Sequence, residues 1–318
     1  MAVAATDLAS QRRPLVGITL KIISVAIFVA MSSLIKSAGT VPAGQIVFFR
    51  SFFAIFPILV MLAWRKELTT AFHTTRPMGH IMRGLIGVAA MGLSFFGLTR
   101  LPLPDAITLN YAQPLIVVVF SAIFIGEVVR LYRWSAVLVG FVGVVIIAWP
   151  KLTLLTGATG LEEGQALGVI AILGGAAASA VAMLLVRRLV TTEKTATIVL
   201  WFSVTATVVS LFTIPFGWEA LTRWQYLALV GAGICGGVAQ ILMTQCYRHA
   251  ELSTIAPFEY TSMILAIVVG YFAFGDIPTV YTLVGGAIVV GAGLFIIWRE
   301  RQLGLKRVAA RRFVPPGG

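Results

Sequence analysis

Long apolar runs, separated by short stretches with charged residues, Pro or Gly, fill almost the whole chain. A bilayer core of about 30 Å is crossed by about 20 helical residues. Ten runs reach that length, which predicts an all-α membrane protein with ten transmembrane helices. The predicted spans are Leu15–Ser37, Gln45–Trp64, Gly79–Thr99, Asp105–Gly126, Arg133–Trp149, Gly164–Val186, Thr195–Pro215, Trp224–Tyr247, Leu252–Gly275 and Tyr281–Trp298.

The composition also indicates lipid as the solvent. Of the 318 residues, 59% are hydrophobic and only 11% are charged, whereas a soluble domain has about 25% charged residues. This excludes most classes of soluble enzyme, and the connections between the spans are too short for a soluble domain. We expect residues 1–14 to form a cytoplasmic N-terminal segment and residues 300–318 a basic cytoplasmic tail.

The positive charges lie mainly on one side of the predicted membrane. The net charge of +12 would suggest a nucleic acid partner in a soluble protein. Loops on the N-terminal side, however, hold 18 of the 24 Lys and Arg residues, and the opposite loops hold 4. Cytoplasmic loops of membrane proteins carry such an excess. We therefore expect both termini in the cytoplasm, a multi-pass protein of the inner membrane, and no nucleic acid partner.

The chain matches itself when it is shifted by 149 positions. The matched pairs include Gly84 and Gly233, Tyr111 and Tyr260, Gly126 and Gly275, Glu127 and Asp276, and Trp149 and Trp298. The two repeats, residues 15–149 and 164–299, are joined by a predicted outer linker at 150–163. Because each repeat has five spans, an odd number, the second enters the membrane from the opposite side. Inverted repeats around a central site are typical of secondary transporters.

Two motifs at corresponding places of the repeats resemble a known family. They are Tyr111-Ala112-Gln113-Pro114 followed by Gly126-Glu127, and Pro257-Phe258-Glu259-Tyr260-Thr261 followed by Gly275-Asp276. Together with the Gly-rich final spans they resemble the EamA type of the drug/metabolite transporter superfamily, over residues 15 to 299. The chain departs from the commoner motif by having Asp276 in place of Glu. The resemblance implies a central cavity between two five-helix halves and a substrate such as an amino acid, a nucleotide-like metabolite or a drug.

Polar groups inside a bilayer are costly, so each is a candidate for lining a substrate cavity. The alternative for each is a hydrogen bond between helices. Pro114 removes a backbone donor and favours a kink, and we predict Pro114 and Pro257 to be hinge or gating residues. The predicted substrate-binding residues are Ser32, Phe95, Asn110, Tyr111, Gln113, Gln240, Thr244, Gln245, Glu259 and Tyr260.

Glu259 is the only carboxylate well inside a predicted span. It could bind a substrate amine, carry a coupling proton, or pair with a basic residue such as Lys21. We expect the charged ends of Lys21 and Arg83 to reach the nearby cytoplasmic surface. Arg50 lies similarly near the outer surface.

The sequence contains no recognisable catalytic set. Its three histidines lack the spacing of metal ligands, and no phosphate-binding loop is present. We expect no cofactor, no metal site and no enzymatic activity. The favoured function is transport of a small organic solute by alternating access, with export of neutral and aromatic amino acids ahead of uptake of a vitamin-like or nucleoside-like solute. A membrane-embedded enzyme and a lipid-scrambling or structural role are less favoured, and the oligomeric state is left open.

Overall fold

Helices make up all regular secondary structure in the computed structural model, which describes residues 14–126, 129–152, 160–189, 192–249 and 255–312. The α-helices are α1 (Pro14–Ser37), α2 (Ala43–Trp64), α3 (Pro77–Leu98), α4 (Leu103–Asn110), α5 (Ala112–Ile125), α6 (Leu131–Leu152), α7 (Gly160–Leu189), α8 (Thr195–Leu211), α9 (Arg223–His249), α10 (Thr261–Phe274) and α11 (Val280–Arg312). In the described ranges, three 3₁₀-helices lie between them, at Leu68–Thr70, Ile214–Phe216 and Ala256–Tyr260. Glu127, residues 1–13 of the predicted N-terminal segment, residues 153–159 of the predicted outer linker and residues 313–318 of the predicted tail lie outside the described residues.

Within the described chain, 9 helical segments are long and apolar enough to cross a membrane. α4 and α5 together form one of them. α8 is apolar but shorter, because the chain leaves the α-helix after Leu211 and forms the 3₁₀-turn that contains Pro215. Proline has no backbone N–H to continue a helix. The prediction of an all-helical membrane protein is confirmed, and a tenth span depends on α8.

Contacts between helix ends indicate that consecutive spans run in opposite directions. We call the side where α1 begins and α11 ends the terminal side, and the opposite one the far side. On the far side, the amide of Gln45 donates to the carbonyl of Glu219 over 2.9 Å. On the terminal side, the hydroxyl of Thr74 donates to the carboxylate of Glu193 over 2.9 Å. The first contact joins the start of α2 to the segment before α9, and the second joins the loop after α2 to the loop after α7. The start and the end of α2 therefore lie on opposite sides, as expected for spans that alternate in direction.

The fourth span is broken at Tyr111, between α4 and α5. Pro114 has no N–H for the carbonyl of Asn110, so one rung of the helix is lost at this depth. The matching place in the second half is also irregular, because a 3₁₀-helix ends at Tyr260 and α10 begins at the next residue. α5 and α10 both have 14 residues, and each is followed by a glycine with positive φ, Gly126 or Gly275. Glycine adopts this helix-ending conformation without steric cost.

The most extensive helix interfaces join α1 to α9, α3 to α7 and α6 to α11, while α2 packs on α8 and α9. Glycines allow the closest of these approaches. A Cβ atom on Gly143 of α6 would lie 2.7 Å from the carbonyl oxygen of Gly285 of α11, and a Cβ on Gly285 would lie 2.6 Å from that of Gly143. Small residues at helix crossings support association in lipid through close backbone packing. These interfaces leave an open space among α1, α5, α10 and α11.

Candidate substrate cavity

A cavity of about 650 Å³ occupies this space. Ligand cavities usually have volumes of about 300 to 1,000 Å³ and mostly apolar walls with a few polar groups. Here the apolar walls come largely from aliphatic side chains of α1, α5 and α11, such as Val25, Val118 and Ile296. The cavity has the size and the lining to hold a small organic solute.

Seven of the predicted site residues line this cavity. They are Ser32, Asn110, Tyr111, Gln113, Pro114, Glu259 and Tyr260. α1 places the first of them, the broken fourth span the next four, and the 3₁₀-helix before α10 the last two. Pro257 lies on the same 3₁₀-helix and is partly buried. The two irregular segments thus present polar side chains from both halves to one space.

The main charged feature of the cavity is an ion pair between Lys21 and Glu259. The ammonium group of Lys21 contacts Oε2 of Glu259 and also lies 3.7 Å from the sulfur of Met243. The exposed fraction of the side chain is 2% for Lys21 and 45% for Glu259. The expectation that Lys21 reaches the membrane surface is therefore wrong, and the alternative of a pair with Glu259 is observed. The carboxylate faces the open space, while the ammonium group is covered by protein.

Two tyrosines at matching positions of the repeats meet beside this ion pair. The rings of Tyr111 and Tyr260 pack edge to face with centroids 5.1 Å apart. The hydroxyl of Tyr111 lies 2.5 Å from that of Ser262, a residue that is not among the predicted site residues. A Cβ atom on Gly293 of α11 would lie 1.7 Å from the hydroxyl oxygen of Tyr260. Any larger residue at this position would displace the ring.

Ion pairs close the helix bundle on the far side. Nζ of Lys36 lies 3.0 Å from Oδ2 of Asp276, which also accepts a 2.8 Å hydrogen bond from the backbone N–H of Leu103. Deeper in the protein, buried Lys151 pairs with buried Asp105, which also accepts a hydrogen bond from Thr282. Neither pair was predicted from the sequence, because the two partners of each pair lie in different spans. These far-side charges do not line the cavity, whose charged residues, Lys21 and Glu259, lie nearer the terminal side.

The other three polar residues predicted on α9 line a second cavity of about 450 Å³. Gln240, Thr244 and Gln245 face α2 and α8 there, together with the charged residues Arg65, Glu67 and Lys194. Met243, the residue before Thr244, lines the first cavity instead, because successive side chains of an α-helix point about 100° apart. Phe95 is also outside the first cavity and belongs to the hydrophobic core, with 7% of its surface exposed. These four residues therefore lie outside the cavity that contains Glu259, and their role in substrate binding stays a prediction.

A polar cluster on the terminal side joins two loops. Glu193, between α7 and α8, accepts hydrogen bonds from the hydroxyls of Thr74 and Thr75 and from the backbone N–H of Thr75, each over 2.9 Å. His80 lies 3.8 Å from the same carboxylate. Desolvation raises the pKa of Glu193, but the hydrogen bonds and His80 outweigh it and hold the pKa below its ordinary value.

Comparison with known proteins identifies the family. A sequence model of the EamA-like transporter family matches the chain twice, over residues 15–149 and 166–299. This chain belongs to the EamA-like transporter family. The resemblance found in the two motifs is thereby confirmed, and membership in a transporter family argues against an enzyme.

Several relatives of this EamA-family chain are named as transporters. The S-adenosylmethionine uptake transporter of Rickettsia bellii is 26% identical over 264 residues, which cover 83% of this chain and 87% of that protein. The pseudopaline exporter CntI of Pseudomonas aeruginosa is 28% identical over 285 residues, or 87% of this chain and 94% of that protein. The riboflavin transporter of Rhizobium johnstonii is 29% identical over 251 residues, or 78% and 79% of the two chains.

A solved crystal structure supports the fold of this EamA-family chain. It is 20% identical in sequence and superposes with a TM-score of 0.62. The match covers 95% of this chain and 99% of that one. Together with the named relatives, it supports a multi-pass membrane protein whose family transports small molecules. Amino acid export stays a prediction, because the names cover both uptake and export of different solutes.

Proposed function

We propose that this EamA-family chain is a secondary transporter of the inner membrane that moves a small zwitterionic solute by alternating access between two inverted five-helix halves. In this proposal α8 is the seventh of ten spans, and the terminal side with its excess of Lys and Arg faces the cytoplasm. The observation that carries the proposal is the Lys21–Glu259 pair on the wall of a cavity that both halves line.

The helix packing supports the inverted arrangement. Under the 149-residue shift, α3 corresponds to α9 and α6 to α11. The first spans match at a shift of 151, which sets Gly17 on Gly168, so α1 corresponds to α7. The interface of α1 with α9 then has a counterpart of the same extent in that of α7 with α3. The α6–α11 interface is its own counterpart. Such a pattern is expected for two similar units related by a pseudo-two-fold axis in the membrane plane.

The charges in the cavity favour a substrate with both an amine and a carboxylate. A zwitterion that inserts between Lys21 and Glu259 replaces one ion pair by two, so each protein charge keeps a partner during binding. A solute with a single charge would leave either the buried ammonium or the carboxylate unpaired. The two tyrosine rings and the aliphatic walls suit an apolar or aromatic side chain. We therefore favour neutral and aromatic amino acids, with export as the direction.

The name of one relative is compatible with this class of substrate, and the name of another supports an alternative. S-adenosylmethionine contains the amino and carboxylate groups of an amino acid, and the Rickettsia bellii relative is named for its uptake. The riboflavin transporter of Rhizobium johnstonii supports a vitamin-like solute taken up by the cell. A flat ring system could stack in the same cavity between the tyrosines and the aliphatic wall, without using the ion pair.

Transport by the purified chain in proteoliposomes tests the proposal. Vesicles would be loaded with an unlabelled neutral or aromatic amino acid, and entry of the same labelled solute measured by counterflow, with riboflavin and S-adenosylmethionine as competitors. We expect amino acid counterflow that is lost in Glu259→Gln and in Lys21→Met. Glu219→Gln, which neutralises an exposed carboxylate on the far side, is the matched control and should transport normally.

Two results would overturn parts of this proposal separately. Counterflow of riboflavin that persists in Glu259→Gln would replace the zwitterion by the vitamin-like alternative. Absence of counterflow for every solute in vesicles that contain folded protein would argue against transport itself. Glu259 could also carry a coupling proton, and counterflow measured at several values of pH tests this role. Equal pH dependence of the wild type and Glu259→Gln would reject that role.

A further inference from the structure

The second cavity, of about 450 Å³, has charged residues at its mouth and apolar walls deeper in the membrane. Arg65 directly follows the last residue of α2, and Lys194 directly precedes α8, so both lie at the terminal-side ends of their helices. Ile58, on the wall of the cavity, precedes Arg65 by seven residues, which places it about 10 Å deeper along α2. The cavity therefore runs from the terminal-side surface into the membrane.

The mouth of this cavity lies at the level of lipid headgroups. Trp64, the last residue of α2, is almost fully exposed, and tryptophan is enriched where a membrane meets water. Leu68 and Phe72, in the segment that follows, are also exposed apolar residues. α2 packs on both α8 and α9, whereas no extensive interface joins α8 to α9 in the described part of the chain. The cleft between these two helices leaves room for part of a lipid beside α2.

The backbone turns sharply after α2 and brings charges of both signs to the mouth. Lys66 has a φ of 56°, a left-handed conformation that is uncommon for residues other than glycine. The N–H of Glu67 donates to the carbonyl of Leu62 over 3.0 Å, which folds the chain back over the end of the helix. Arg65 and Glu67 consequently both line the cavity, whereas Lys66 between them is exposed and does not.

The charges at the mouth are not neutralised by neighbouring residues of the described chain. Arg65 and Glu67 form no ion pair with a described residue, and Nζ of Lys194 lies 3.5 Å from Oγ1 of Thr70, a neutral group. The mouth thus presents two cations and one anion. A phosphate has two free oxygens that can accept hydrogen bonds from two cations, and an ammonium group can donate to a carboxylate. A ligand that carries both groups would give each of the three charges a partner.

We propose that the second cavity binds a phospholipid of the terminal-side leaflet whose headgroup carries a primary ammonium group, as in phosphatidylethanolamine. Its phosphate contacts Arg65 and Lys194, and its ammonium group contacts Glu67. Basic pockets between membrane helices are typical sites for lipid headgroups. Gln240 and Gln245, farther along the cavity, offer amide donors to the ester oxygens, and the acyl chain begins against the apolar wall.

The carboxylate at the mouth is what distinguishes this lipid from others. Phosphatidylglycerol has no amine, so it would leave Glu67 beside a phosphate without a positive group. Phosphatidylcholine has a positive headgroup, but its quaternary nitrogen has no N–H to donate. The site is distinct from the Lys21–Glu259 pair, and it does not rest on the identity of the substrate bound there.

Lipid binding to the purified full-length chain tests the proposal. The protein in a neutral detergent is titrated with phosphatidylethanolamine, phosphatidylglycerol or phosphatidylcholine with identical acyl chains. The unfolding midpoint is followed, and retained lipid molecules are counted by native mass spectrometry. We expect phosphatidylethanolamine to raise the midpoint with saturation and to be retained as a single molecule. Half-saturation by the other two lipids should need a concentration about fivefold higher, as for the loss of one exposed ion pair.

Single variants separate the two contacts of the headgroup. Arg65→Gln and Lys194→Gln should each weaken the binding of all three lipids, because each variant removes a contact with the phosphate. Glu67→Gln should remove the preference for phosphatidylethanolamine, so that phosphatidylglycerol then binds at least as well. Lys66→Gln is the matched control, because it removes a neighbouring exposed cation that does not line the cavity, and it should bind lipid as the wild type does.

Three results would overturn the proposal. One is a preference of the wild type for phosphatidylglycerol or phosphatidylcholine. Another is an equal loss of binding in Arg65→Gln and Lys66→Gln, which would reduce the response to general surface charge. The third is soluble phosphoethanolamine that stabilises the protein at the same concentration as strongly as the lipid, which would make a free solute the ligand. Since none of these measurements involves transport, a failure here is distinct from a failure of the proposed function.

Discussion

The unequal burial of Lys21 and Glu259 predicts that the two halves of this ion pair contribute differently to stability. Glu259→Gln leaves a 2% exposed ammonium group without a counter-charge. Removing one partner of a buried ion pair costs about 3 to 5 kcal/mol. Lys21→Met leaves a carboxylate whose side chain is 45% exposed and which cavity water can solvate. Exposed ion pairs contribute only about 0 to 1 kcal/mol, so this second change should cost much less.

The double variant Lys21→Met/Glu259→Gln completes the comparison. It removes both charges and fills the covered site with an apolar side chain of similar length, which is often neutral for stability or favourable. We expect the double variant to be more stable than Glu259→Gln alone by about 2 kcal/mol or more. The pair would then show a large coupling energy in a double-mutant cycle, as is usual for residues in direct contact.

The measurement is the thermal unfolding midpoint of the four purified proteins in one detergent, followed by tryptophan fluorescence. Glu219→Gln serves again as the control for loss of an exposed carboxylate. The order expected from highest to lowest midpoint is wild type, then Lys21→Met and the double variant close together, then Glu259→Gln. Equal midpoints for the two single variants would refute the reasoning, because they would show that the different burial of the two groups has no energetic consequence.

Three further predictions concern other parts of the structure. Gly293→Ala should abolish transport, because its Cβ would overlap the hydroxyl of Tyr260, and adding Tyr260→Phe should restore part of the activity; normal transport by Gly293→Ala would contradict this. Asp276→Asn should break the ion pair with Lys36 and open the far side. A cysteine introduced at Ser32 in a cysteine-free background should then react faster with an impermeant maleimide added from that side; an unchanged rate would show that this ion pair does not close the far side. Glu193→Gln should lower the unfolding midpoint at pH 7 by the equivalent of about 1 kcal/mol. The difference between wild type and variant should shrink as the pH falls below the ordinary glutamate pKa and vanish below the lowered pKa, because protonation then breaks the same contacts in the wild type. A difference that is constant with pH would contradict this prediction.

Local sequence patterns were sufficient to predict the helices and the repeat. The length and hydropathy of a span depend only on consecutive residues and on the thickness of a bilayer, so Leu15–Ser37 could be predicted to within a residue of α1. The shared spacing of Tyr111 with Gly126 and of Tyr260 with Gly275 likewise predicted two corresponding helices. In the structure both helices end at these glycines with positive φ. One exception is α8, whose predicted span ran on to Pro215 because hydropathy alone does not detect where a helix loses its hydrogen bonds.

The membership of the cavity could be predicted only in part. Side chains at the two helix breaks, such as Asn110 and Glu259, were identified because an irregular backbone and a polar group inside a membrane are both visible in sequence. Gln240 and Thr244 were assigned to the same site because they are polar and lie at a helical spacing on α9. Periodicity shows which residues share a face but not which neighbour that face meets. The packing of α9 on α2 turns these two residues toward the second cavity.

The sequence by itself thus determined the class of protein, the limits of most spans and the family. Only the tertiary structure decided which charges meet. Lys21 and Glu259 are 238 positions apart, and Asp105 and Lys151 are 46 apart in different spans. Inside a membrane an unpaired charge is costly, so each ion must find a partner, but the partner is selected by three-dimensional packing and leaves no local pattern.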